Sequence, residues 1–267
     1  MSEGSPSSVS AFSERFVETR FGHVRCLLAP VDAAHLPAAL LVHGVGTRAE
    51  VWLPLLPHLH GVQAVAIDLP GHAGSAGPLL ASADAYAQCL DDVRGALGLD
   101  SVFAIGQSLG GAIVQCYARN HGATCRGIVV AHSAAHFAIA QERIRQVTDD
   151  WPTARGNFAA RQVSSGAAEA LKEEARRVVS LRDPVVLAHD LRTCNAFDAR
   201  PWASMVRTPV LVMTGDEDAG YGPDRARELQ ALYNGSRLVV LPSCGHNGVL
   251  EQPAAFAAAI EDFVRGT

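Results

Sequence analysis

The ten residues Val102-Phe103-Ala104-Ile105-Gly106-Gln107-Ser108-Leu109-Gly110-Gly111 restrict the fold more than any others in the chain. An apolar run enters, Gly-x-Ser-x-Gly sits at the centre, and a small-residue helical pattern (Ala112, Ile113, Val114, Tyr117, Ala118) leaves. That predicts a strand, a sharp turn and a helix. A side chain at Gly106 or Gly110 would clash where the chain doubles back, and the serine between them must take a strained backbone. Ser108 is thereby pushed out at the strand's carboxyl end. The bare five-residue pattern arises by chance roughly once in six or seven chains of this glycine and serine content. Its flanks carry the reading.

The same alternation recurs on both sides. Phe16–Phe21 and Val24–Leu28, split by Gly22-His23, read as an N-terminal hairpin. Ala38–Val42, Ala64–Ile67, Gly127–Ala131, Pro209–Met213 and Arg237–Leu241 are apolar runs of strand length, as strands buried on both faces of a parallel sheet should be. Helical patterns start at Ser82, Pro223 and Pro253. The expectation is an α/β chain with a mainly parallel central sheet of about eight strands, flanking helices, and ligand sites beyond the strands' carboxyl ends. From 136 to 201 only helical signals appear: Gln141–Val147, a run from Ala167, and Asp183-Pro184 as cap and first helical position. The expected organisation is a flexible tail over 1–15, a core over 16–135 and 202–267, and a helical lid over 136–201 covering the mouth at Ser108.

Composition narrows the partners. The 267 residues are 48% hydrophobic and 18% charged, enough for a full core, and the net charge of -5 comes without a basic stripe. This excludes nucleic acid and anionic membrane as expected partners and leaves a small-molecule substrate. It does not fix the oligomeric state. No secretory signal or membrane-length apolar run is seen. The six cysteines form no CxxC pair, which fits reduced thiols in the cytoplasm. His132 and His136 have the i,i+4 spacing of a metal pair, but no third ligand follows; no metal and no cofactor are expected.

A serine hydroxyl needs a base with a pKa near working pH, which points to histidine. His246 follows the last strand on a glycine-softened loop, on the same sheet edge as Ser108. The imidazole in turn needs a carboxylate. Asp68, Asp216, Glu217 and Asp218 stand at strand ends; Asp218 lies deepest in its loop and is preferred, with Asp68 left to brace its own Pro-Gly loop. The oxyanion of an attacked carbonyl would meet the backbone N–H of Leu109, at the helix's positive end, and of Val45 in the His43-Gly44-Val45-Gly46 turn. Pocket candidates are Trp52, His132, His136, Trp151, Phe158 and Tyr221. His43 and His72 read as braces of their loops.

With these residues in place, the chain resembles the α/β-hydrolase fold superfamily, in its branch of lidded serine esterases. His43-Gly44-x-Gly46 with Trp52 downstream, Asp68-Leu69-Pro70-Gly71-His72, Gly106-Gln107-Ser108-Leu109-Gly110-Gly111, Gly215-x-x-Asp218 and Gly245-His246 match in order. Ala73 stands where this branch often has glycine. Asn247-Gly248 stands where a large side chain often follows the histidine, which could open the pocket. The resemblance implies a hydrolase of a small carboxylic ester, thioester or lactone acting through an acyl-enzyme. Two alternatives stay open: carbon-carbon hydrolysis of a diketone with the same triad, whose users usually carry an aromatic residue at the place of Asn247, and a triad-retaining ligand-binding protein with little turnover. Dehalogenase and epoxide hydrolase chemistry is disfavoured, because those relatives have aspartate where this chain has Ser108.

Overall fold

The computed structural model describes residues 12–29 and 35–267. The strands are β1 (Ser13–Thr19), β2 (Gly22–Ala29), β3 (Ala38–Val42), β4 (Gln63–Ile67), β5 (Val102–Gln107), β6 (Cys125–Ala131), β7 (Val210–Gly215) and β8 (Arg237–Leu241). They form one sheet in the order β1-β2-β4-β3-β5-β6-β7-β8. The β1–β2 and β2–β4 pairs are antiparallel and all others parallel. The tail expected over 1–15 ends earlier, because Ser13, Glu14 and Arg15 pair with Leu28, Leu27 and Cys26; residues 1–11 lie outside the described part.

The helices are α1 (Ala83–Ala96), α2 (Leu109–Asn120), α3 (Gln141–Asp149), α4 (Trp151–Ala159), α5 (Glu169–Ser180), α6 (Pro184–Ala196), α7 (Pro223–Leu232), α8 (Gly248–Glu251) and α9 (Pro253–Arg265). Ser82 Oγ accepts from the Ala85 N–H at 3.2 Å to start α1, and Asp183 accepts from the Val185 N–H at 2.7 Å to start α6. The sheet divides the interior into two cores through its period of two. Leu40, Val42, Ala104 and Val130 face α1 and α2, while Ala39, Leu41, Ile105 and Val129 face Trp52 and the Phe256–Phe263 side of α9. Hence β3 and β5 are buried along their whole length, and apolar residues occur there without alternation.

Register brings the functional loops to one edge. Gly106 of β5 pairs with Val42 on one side and Val130 on the other, and Ala131 of β6 pairs with Met213 of β7. The exits of β3, β5, β6, β7 and β8 therefore open side by side. Helices α3 to α6 lie between β6 and β7 in sequence, and Arg143, Phe158, Val178 and Leu191 from them line the cavity at this opening. Helix α4 has no clear amphipathic period and does not stand out as a helix in the sequence; its signal was Asp150, which accepts from the Thr153 N–H at 3.3 Å, with Pro152 in the first turn.

Candidate active site

At the end of β5 the chain turns so tightly that a β-carbon on Gly106 would come within 2.0 Å of the Gly110 carbonyl oxygen. One on Gly110 would lie 2.1 Å from that of Val42. Between them Ser108 takes φ +55° and ψ -114° as the residue preceding α2, a backbone that L residues rarely adopt. The Ser108 N–H donates to the Ala131 carbonyl at 3.0 Å and Ser133 Oγ donates to the Ser108 carbonyl at 2.7 Å, so the neighbouring strand holds the turn in place. A β-carbon on Gly44 would sit 3.3 Å from Ser108 Cβ; the β3 exit packs directly on the serine. Among the described residues, neither the Val45 nor the Leu109 N–H has a protein acceptor.

Asp218 is buried and saturated with donors. Its Oδ1 accepts from the Gly220 and Tyr221 N–H groups at 2.9 and 3.0 Å, and its Oδ2 is 2.9 Å from His246 Nδ1 and 3.1 Å from His132 Nδ1. A carboxylate only accepts, so both imidazoles carry hydrogen on Nδ1. Burial works to raise the Asp218 pKa. The charge of His246 and the hydrogen bonds from His132 and His246 outweigh it and hold the group well below the usual carboxylate range. His246 and Ser108 line one cavity of about 430 Å³, within the range of small-ligand sites.

His132 is where the structure adds most to the sequence. Its backbone is left-handed (φ +48°), which turns the ring away from the cavity and under the sheet edge, flat against Phe256 and edge-on to His246. Burial lowers its pKa, more than Asp218 raises it. Nε2 has no hydrogen-bond partner among the described residues, and a β-carbon on Gly248 would lie 2.6 Å from it. The missing side chain at Gly248 thus leaves the space that His132 occupies, while Asn247, where the resemblance expects a large side chain, lines the cavity. His132, Asp218 and His246 also bring ligand atoms within 4.8 Å of one another, but a cation there would have to displace the protons that both rings share with Asp218. Ala73, the other departure, takes φ +44° in spite of its β-carbon.

Of the six pocket candidates, Phe158 and Tyr221 line the cavity and four do not. Trp52 lies in a 3-10 turn that points its ring into the far core, against Phe256. His132 is beneath Asp218. His136 is in an extended segment bridged to Asp198, its carbonyl accepting from Arg225 Nη2 at 3.0 Å. Trp151 starts α4, about 10 Å along the helix from Phe158, and packs on the core. His43 and His72 brace loops. His43 Nδ1 donates to the Gly44 carbonyl at 2.8 Å, and its Nε2 accepts from the Leu69 N–H at 3.1 Å. Asp68 takes the Ala49 and Gly74 N–H groups and Arg25 Nη1.

Sequence reasoning passed over Asp190, a wholly buried carboxylate on α6. Its Oδ2 accepts from the Gly46 N–H at 2.7 Å and from His72 Nε2 at 2.9 Å. It ties the inserted helices to the Val45 turn. It also passed over Arg143, Arg161 and Arg182, which line the cavity. A polar residue in the mainly apolar run of α6 was the one available signal; the arginines gave none.

A sequence profile of the alpha/beta hydrolase family matches residues 39–259. The chain belongs to that family. Within it, the chain is similar to a pimeloyl-[acyl-carrier protein] methyl ester esterase of Neisseria meningitidis serogroup C, with 28% identity over 85% of this chain and 93% of that protein. It is also similar to a 2-succinyl-6-hydroxy-2,4-cyclohexadiene-1-carboxylate synthase of Enterobacter sp., with 27% identity over 86% and 92%. The enol-lactonase from Burkholderia xenovorans LB400 superposes with a TM-score of 0.85 at 20% identity, covering 94% of this chain and all of that one. This last likeness is one of fold. No described helix is long and apolar enough to cross a membrane.

Proposed function

We propose that the protein is a serine hydrolase of this family that cleaves a small carboxylic ester, thioester or lactone. The observation that carries the reading is Ser108, held at φ +55° before α2 in the same cavity as His246, whose Nδ1 is fixed on Asp218. In this reading Ser108 Oγ attacks the substrate carbonyl while His246 Nε2 takes its proton. Asp218 remains ionised and stabilises the imidazolium. The carbonyl oxygen, now negative, receives hydrogen bonds from the Val45 and Leu109 N–H groups, which have no other acceptor among the described residues. The imidazolium returns its proton to the leaving alkoxide or thiolate, and water deacylates Ser108 by the same steps. The name of the esterase relative supports the reaction class.

Segment 136–201 serves as the lid in this proposal, between core segments 16–135 and 202–267, because Ala138–Ala140, Arg143, Phe158, Arg182 and Leu191 wall the cavity. Six buried, unpaired cysteines support a cytoplasmic setting. A fluorophosphonate probe should label the folded protein at Ser108, and Ser108→Ala should abolish both labelling and p-nitrophenyl ester hydrolysis. Parent-rate hydrolysis by Ser108→Ala would overturn the mechanism; a folded protein that neither labels nor turns over is a binder.

A further inference from the structure

Four arginines line the cavity of Ser108, and Asp218, already committed to two histidines, is the one acidic group among the described residues that line it. Arg225 is neutralised by Glu228 at 3.2 Å. The other three have no ion-pair partner among the described residues: Arg161 exposed, Arg143 half-buried and Arg182 buried. Arg143 and Arg182 both stack on Phe158, with guanidinium carbons 4.6 and 5.8 Å from the ring centre. Among the described residues, Arg182 makes one long hydrogen bond, 3.4 Å to Gln162 Oε1, and its buried Nε has no partner. Asp190 acts on Arg182 from a distance: its Oδ2 is taken by His72 and Gly46, and its Oδ1, buried without a partner among the described residues, makes no ion pair with Arg182. Burial lowers the pKa of Arg143, and the charge of Arg161 lowers it further; burial brings Arg182 down to about 10, and a guanidinium keeps its charge at neutral pH.

A buried guanidinium with an unsatisfied N–H is costly unless something in the site completes it. A neutral substrate offers these three cations no counter-charge in the bound state. They are, however, suited to drawing in and clamping an anion, with charge increasing in effect as burial increases. We propose that the substrate carries an anionic oxyacid group, remote from its scissile ester, that binds Arg182 and Arg143 beside Phe158. This rests on the hydrolase reading above and narrows its substrate class to half-esters or lactones of polyacids.

The test compares mono-p-nitrophenyl adipate with p-nitrophenyl hexanoate, which has the same chain length and no charge. The wild type should favour the anionic ester in kcat/KM by about 10-fold or more. Arg182→Met and Arg143→Met should each bring that ratio down towards 1, mainly through KM. Should Arg182→Met fail to fold, the half-buried Arg143 decides. Competition by glutarate and by inorganic phosphate separates a carboxylate from a phosphate ligand, and stronger inhibition by either supports the site. A wild type that treats both esters alike or prefers the neutral one, or variants with an unchanged ratio, overturns the proposal. Failure to cleave either ester would instead count against the hydrolase reading.

Discussion

Asp190→Asn offers the sharpest test of how the inserted helices are tied to the site. One carboxylate oxygen accepts from both the Gly46 N–H and His72 Nε2, and His72 Nδ1 donates in turn to the Pro70 carbonyl at 3.1 Å. Both nitrogens face acceptors, which favours the imidazolium form of His72. Burial works to lower its pKa, and the hydrogen bond and charge of Asp190 outweigh it, so the net shift is upward. An amide cannot reproduce this. With its oxygen in place, it leaves the His72 charge uncompensated; with its nitrogen there, it sets two donors against each other at Gly46. Breaking a buried pair from one side costs about 3–5 kcal/mol. Because His72 can shed its proton, about 3 kcal/mol is expected, which is about 6 °C in Tm for a chain of this size. A raised histidine pKa contributes stability that is complete below its unfolded value near 6.5 and is lost as pH rises through the higher folded value. The Tm gap between wild type and variant should therefore be widest at about pH 6 and narrow on going alkaline. The freed Gly46 would also slacken the Val45 turn and lower kcat about 10-fold. A gap under about 2 °C at pH 6, or one that widens with pH, refutes the reasoning.

The opposite pH dependence is expected of His43. Burial and the neighbouring His72 charge lower its pKa to about 4, so the unfolded chain binds a proton that the folded one refuses; stability should drop by about 3 kcal/mol between about pH 6.5 and 4, and a flat urea-midpoint profile over that window would exclude it. His132→Ala should cost about 2–3 kcal/mol through the lost donor to Asp218 and the void against Phe256, with kcat also reduced. His132→Asn, which can donate to the same oxygen and tolerates positive φ, should recover part of both; equal losses in the two variants would show that His132 merely fills space.

The sheet and the order of Ser108, Asp218 and His246 were legible because they rest on local rules: uninterrupted apolar strands, turn glycines, and strand exits that share an edge. The helical insertion was legible as helices from Asp183-Pro184 and the periodic apolar face of α5. Its packing was not. Trp52 and Trp151 look like substrate contacts in sequence because large aromatics near a mouth often are, and their direction depends on a 3-10 turn and on distance along α4. His132 was misplaced because a single positive φ decides which side of the sheet edge its ring occupies. Arg182 reaches the cavity, and Asp190 reaches Gly46 and His72, only through the packing of the inserted helices, which no local rule sets.

The strain at Ser108 has a consequence for anyone who tries to harden this protein. A β-carbon at φ +55° stores about 1–3 kcal/mol, which Ser108→Gly would release while leaving the turn intact. Variants selected only by survival on heating would be drawn to that substitution early, and they would emerge tougher and dead. Any such screen on this chain has to read turnover together with melting.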